Sequence, residues 1–156
     1  MRIHLDFFST FLGQQKRIRL TSTSSAQEEI KPFEKLKSLD VYLKSPTQLP
    51  IFQLLLGLSK NLEVLIFDQF YCDYEESLIN RSLFEWNPLQ NLKSLTIGHG
   101  SNLSIVTVNV ILANCHELKR LGRLDQWGHV DRHQIESIRN EIKARNFDLV
   151  IDTGEI

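Results

Sequence analysis

The chain is short of almost everything that announces a particular chemistry. It has 2 cysteines, 1 methionine, 4 prolines and 7 glycines in 156 residues. Two thiols without a secretory leader make no disulfide framework and are read as reduced. No leader is visible, because His4 and Asp6 break the apolar start and no small-residue cleavage site follows. No apolar run approaches the roughly 18 residues of a membrane-spanning helix. Charge of one sign is lacking too: 18 basic residues stand against 19 acidic ones, for a net charge of −1. Charge alone therefore recruits neither nucleic acid nor an anionic membrane. These absences place the chain inside the cell, in the cytoplasm or the nucleus, with no nucleic-acid or membrane partner.

Motifs of catalysis are equally scarce. There is no HExxH, no CxxC, no phosphate-binding loop and no Gly-x-Ser-x-Gly. His129 and His133 lie four apart, but without further ligands they read as solvated histidines. Gly98-His99-Gly100 lacks the third glycine and the distant acid of a dinucleotide fingerprint, so it reads as a turn. Glu75-Glu76 is a lone acidic pair, expected on a helix surface. Asn80-Arg-Ser and Asn102-Leu-Ser match the glycosylation sequon by chance. The expectation is a non-enzyme that needs no cofactor and no metal.

What the chain has is an internal repeat. Asn91-Leu92-Lys93-Ser94-Leu95-Thr96-Ile97 reads Leu-x-x-Leu-x-Ile. The same pattern occurs at Leu36-x-x-Leu39-x-Val41 and Leu62-x-x-Leu65-x-Phe67, and more weakly at Leu118-x-x-Leu121. Three residues upstream stand Phe33, Ser59, Leu89 and Cys115, of which only Ser59 is plainly polar. Cys115 thus falls at a core position and reads as an inert buried thiol. The starts Leu36, Leu62, Leu92 and Leu118 are 26, 30 and 26 residues apart. A period of this length means stacked supersecondary units.

The units need one another. Burying a leucine side chain contributes roughly 1.5–3 kcal/mol, while fixing one backbone residue costs roughly 1–2 kcal/mol. A lone unit with a handful of buried groups fails, and stacking shares its core with its neighbours. Each strand returns through a crossover, so the strands lie parallel. The inward rows are Leu39, Leu65, Leu95 and Leu121, with Val41, Phe67 and Ile97 beside them. The outward rows are Ser38, Val64, Ser94 and Arg120; then Asp40, Ile66, Thr96 and Gly122; then Tyr42, Asp68 and Gly98.

Between the motifs lie connectors. Phe52 and Leu55 before Ser59 give one inward helix face, and Val108 and Ile111 before Cys115 repeat those offsets. The second stretch, residues 103–113, is rich in β-branched residues, which favour strand; the repeat nonetheless predicts a helix. The middle connector is less regular, with a helix over residues 71–80 carrying Leu78 and Ile79 inward, then Leu83, Trp86 and Leu89. Trp86 is expected to fill that unit and Trp127 to close the C-terminal end.

The two ends differ. Residues 1–7 alternate as a strand, residues 17–21 as a second, and 21–27 form a Ser/Thr-rich loop. The first alternation begins almost at Met1 with no turn or cap ahead of it, so the expectation is a chain that starts mid-architecture. At the other end Asp131 is a good N-cap, and Ile135, Ile138 and Ile142 make one apolar helix face. Arg132–Glu136 and Glu141–Arg145 are i,i+4 pairs. Phe147 to Ile151 alternates as a last strand. The whole is one domain over 1–156: irregular N-terminal strands and loop over 1–32, repeats over 33–121 and a cap over 122–156.

These units resemble leucine-rich repeats of the cysteine-containing type found in F-box/LRR proteins. The best match is Asn114-Cys115-His-Glu-Leu118-Lys-Arg-Leu121, with His116 where that family has proline. Lys44, Phe70, Gly100 and Gln126 stand where an Asn or Cys usually follows the strand. The similarity covers about residues 33–151. It implies an α/β leucine-rich-repeat solenoid with short parallel strands and irregular helical connectors. It further implies that the arc recruits a protein substrate while an F-box, absent from this chain, docks on the Skp1/cullin scaffold of a ubiquitin ligase. Leu49-Pro50-Ile51-Phe52 has the look of an F-box start but falls where a connector is due. The strand face is the expected protein-binding surface, through Tyr42, Val64, Ile66, Asp68, Ser94, Thr96 and Arg120. The alternative is a stand-alone scaffold or inhibitor with no ubiquitin role.

Overall fold

The computed structural model describes residues 2–5, 33, 35–43, 48–68, 74–84 and 89–153. The expected strand at 17–21, the loop at 21–27, Cys72 and Trp86 lie outside them.

Each Leu-x-x-Leu motif begins with the same turn. The amides of Leu36, Leu62, Leu92 and Leu118 donate to the carbonyls of Phe33, Ser59, Leu89 and Cys115, three residues back, over 3.1–3.2 Å. The upstream position of the repeat is thus the turn acceptor. That explains how Ser59 survives there, fully buried: its hydroxyl donates to the Leu55 carbonyl at 2.6 Å, so no polar group is orphaned. At Cys115 burial pushes the thiol up to about 12, which keeps it protonated and unreactive.

Among the described residues there are six strands: β1 (Arg2–Leu5), β2 (Ser38–Tyr42), β3 (Val64–Asp68), β4 (Ser94–Gly98), β5 (Arg120–Gly122) and β6 (Val150–Asp152). They form one sheet in sequence order, every neighbouring pair parallel. The entry to each strand repeats as well. The Lys37 carbonyl accepts the amides of Glu63 and Val64, Glu63 those of Lys93 and Ser94, and Lys93 those of Lys119 and Arg120.

The helices α1 (Leu49–Leu58), α2 (Glu76–Phe84), α3 (Ile105–Asn114) and α4 (Arg132–Ala144) connect β2 to β6 in turn. In α1, Pro50 occupies the first turn, where its missing N–H has no helical partner to lose. Leu49, Phe52, Leu55 and Leu56 are buried, and the Phe52 ring stacks on Phe67 with centroids 4.7 Å apart. The helix over the β-branched run is present as α3, capped by the Ser104 hydroxyl on the Val106 amide. Here packing of Val108 and Ile111 into the shared core overrides propensity. The buried hydrophobic side chains of strands β2 to β6 and of the four helices form one cluster.

Two expectations are corrected. The helix placed at 71–80 lies instead at Glu76–Phe84, so Leu83 belongs to it, buried beside Ile79. Glu76 is no bare surface acid. It begins α2, and its Oε1 accepts the amide and hydroxyl of Ser104 at 2.8 and 2.7 Å, and the amide and hydroxyl of Thr107 at 3.2 and 2.7 Å. One carboxylate therefore stitches the first turn of α3 onto the preceding unit.

Beyond β5 the chain makes a 3-10 turn at Leu124–Gln126 and then α4. Asp131 and Gln134 form a capping box, and Ile135, Ile138 and Ile142 are buried. Asn146, at φ 53°, ends α4. Its amide donates to Lys143 and that of Phe147 to Ile142, a full Schellman closure. Glu141 pairs with Arg145 at 2.6 Å as expected, whereas Glu136 pairs with Arg139, not Arg132. The strand expected over 147–151 lies instead at Val150–Asp152, with Ile151 buried, while Phe147 falls outside it and is 53% exposed.

Trp127 is buried, and its indole N–H donates to the Ile97 carbonyl at 2.9 Å. Beside it, Gly128 crosses so close to the chain that a Cβ would lie 2.0 Å from the Ser101 carbonyl oxygen. Trp127→Phe keeps the aromatic filling but orphans that carbonyl. It is expected to lower stability by about 1–2 kcal/mol, read by urea unfolding.

Candidate functional site

The strand side chains alternate without a slip. In β2, β3 and β4 the inward positions are buried and the outward ones mostly half-buried. The face opposite the helical core therefore carries three rows. Register sets Val64 between Ser38 and Ser94, with Arg120 next. Ile66 lies between Asp40 and Thr96, with Gly122 beyond. Tyr42 lies against Asp68, and Asp68 against Gly98. All seven residues expected on this face are on it: Tyr42, Val64, Ile66, Asp68, Ser94 and Thr96 are half-buried and Arg120 is exposed.

Two glycines shape the surface. A Cβ on Gly98 would lie 2.6 Å from Asp68 Oδ2, and one on Gly122 would lie 2.8 Å from Thr96 Oγ1. Asp68 and Thr96 thus lean over bare backbone on the next strand. Asp68 Oδ1 is hydrogen-bonded to Nδ1 of His99 at 2.8 Å. His99 itself sits at φ 51°, a left-handed turn that the Gly98-His99-Gly100 stretch accommodates. Its amide donates to Gln126 Oε1 at 3.3 Å.

The strand starts carry a row of charge. Glu63 receives Lys37 at 2.6 Å and Lys93 at 3.0 Å. Those hydrogen bonds, Lys37 first, hold its carboxyl below the ordinary value. Lys119 pairs with Asp148 at 2.8 Å, which raises its ammonium. Arg120 pairs with Asp152 across the face.

Three participants were not legible as site residues. Val150 and Asp152 extend the rows beyond Arg120 and Gly122, and Val150 is 62% exposed. The alternation over 147–151 signals a strand, but no Leu-x-x-Leu precedes it to set its register. His99 joins through Asp68, a contact across 31 residues that no local pattern encodes. His129 and His133, by contrast, are exposed side chains away from these rows.

Among the described residues no group of three His, Cys, Asp or Glu side chains is placed to hold a metal ion. No helix among them is long and apolar enough to cross a membrane. Comparison with protein-family models, curated proteins and solved structures finds no match.

Proposed function

We propose that this chain is a non-catalytic leucine-rich-repeat solenoid that binds a protein on its outward sheet face. In this reading it is the substrate-recognition arm of an F-box-type ubiquitin-ligase adaptor. The observation that supports binding is the face itself: side chains in fixed, in-register rows, with Val64 and Ile66 as an apolar centre inside a polar frame. Strand-borne side chains are held rigidly, so little ordering entropy is lost on contact. Apolar groups at the centre of a polar rim are the usual plan of a protein interface. The ubiquitin role is supported by the likeness of Asn114–Leu121 to the cysteine-containing repeat. Co-purification of a cullin scaffold with the full gene product tests it; its absence favours a stand-alone scaffold or inhibitor.

The face is tested by placing a photo-crosslinking residue at Thr96 and, separately, at Val106 on α3. Val106 is 55% exposed on the helical side. Adducts in cells should form from Thr96 and vanish when Ile66→Asp is added, with the fold unchanged by circular dichroism. Equal adducts from Val106 would refute the assignment.

A further inference from the structure

Among the described residues β6 is the last strand of the sheet, with a strand on one side of it only. The ladder to β5 shows which groups face the other side. The Val150 amide donates to the Lys119 carbonyl at 2.9 Å, and the Asp152 carbonyl accepts from the Arg123 amide at 2.7 Å. Along a strand, successive residues turn their N–H and C=O to opposite edges. Ile151 therefore directs both groups to the open edge, and Thr153 directs its N–H the same way. Such an edge is a template for another strand. Here one side chain covers it. Arg139 reaches across from α4 and places Nη2 at 3.2 Å from the Ile151 carbonyl and at 3.4 Å from Thr153 Oγ1. Its Nη1 donates to Glu136 Oε1 at 2.6 Å, which ties the guanidinium to its own helix. Glu136 alone would answer the charge of Arg139; the second contact is with the backbone of the edge strand.

We infer that Arg139 guards this edge: it holds the acceptor that a second copy of the chain would use, and without it two copies pair β6 to β6, antiparallel. A second copy is the occupant because the edge is complementary to itself. About a twofold axis at Ile151, the same residue in both copies exchanges N–H···O bonds in both directions. The pairing also covers Val150, at 62% the most exposed large hydrophobic residue among those described. Asp152 brings no unanswered charge to the seam, since Arg120 pairs with it. Because β6 has only three residues, few ladder bonds are on offer, and one arginine is enough to withhold them. The inference concerns the edge of the sheet and stands apart from the reading of its outward face.

The test is the mass of the intact chain in solution, read by sedimentation over a concentration series. Arg139→Met keeps the apolar stem and removes the donors; Arg139→Gln is too short to reach the edge. The wild type should stay monomeric, and both variants should rise to about twice its mass as concentration increases. Adding Thr153→Pro to either removes an edge-facing N–H without touching the ladder to β5, and should return it to a monomer. Variants that stay monomeric would overturn the guard, as would a wild type that already pairs. Association that survives Thr153→Pro would overturn it too, because it would come from a core laid bare by a loosened α4 and not from the edge. Mass that grows past the dimer would overturn the twofold pairing, since only head-to-tail contact propagates.

Discussion

Leu95→Asp is expected to abolish cooperative unfolding altogether. Leu95 is fully buried at the centre of β4, flanked in register by Leu65 and Leu121, themselves fully buried. Truncating such a leucine to alanine costs about 2–5 kcal/mol. Aspartate adds a carboxyl to the same cavity. Ionised, it is intolerable there; protonated, it is still a polar group with apolar neighbours. The sum is at least about 4 kcal/mol, against a total stability on the order of 5–15 kcal/mol for a domain. Because the units share one core, loss at a central strand removes the support of β3 and β5 together. Thr96→Arg, one residue on, faces the opposite side, where the new side chain can extend into solvent. It should shift stability by less than about 1 kcal/mol. Thermal circular dichroism separates the two. A similar loss for both would show that the inward and outward rows are wrongly assigned.

That contrast depends on a register that the sequence discloses because side-chain alternation has period two, and a one-residue slip would turn Leu95 outward and Thr96 inward. Three copies of Leu-x-x-Leu-x-apolar leave one consistent alignment, so the rows through Leu39, Leu65 and Leu95 can be written from spacing alone. The helix α3 is legible only through the repeat. Its Ile105-Val106-Thr107-Val108 start favours strand locally, and the matching offsets of Val108 and Ile111 with Phe52 and Leu55 carry the opposite and correct answer. The middle unit is where spacing fails. Its starts lie 30 residues apart instead of 26, and the extra length leaves the offset of α2 undetermined. Longer-range pairs are hidden for a different reason. Asp68–His99 and Glu76–Thr107 each link residues 31 apart, and their geometry arises only after the units have stacked. Nothing in a local pattern distinguishes an acid with four donors from an acid in water.

Glu76 therefore carries the second large effect. Helix α3 begins with orphan amides, as every helix does. The Ser104 amide and both hydroxyls converge on one oxygen of a carboxylate borne by α2, and the Thr107 amide divides between that oxygen at 3.2 Å and the Ser104 carbonyl at 3.1 Å. The negative charge also suits the positive end of the helix dipole. Thr107 is fully buried, so its hydroxyl has no water to turn to if the carboxylate is removed. Glu76→Ala is expected to cost about 2–3 kcal/mol. Glu76→Gln keeps an acceptor and should cost about half as much. The gap between wild type and Glu76→Gln carries a pH signature. Burial alone would raise the Glu76 carboxyl, but the Thr107 and Ser104 hydroxyls and amides outweigh it and hold it below the ordinary 4.5. A carboxyl depressed in the folded state contributes stability above its unfolded value and loses it as pH falls through its folded value. The wild-type advantage should thus be complete above about pH 4.5 and should shrink steadily below it, as urea unfolding at a series of pH values would record. A gap of constant size down to about pH 3 would mean that the charge of Glu76 contributes nothing and that shape alone joins α2 to α3.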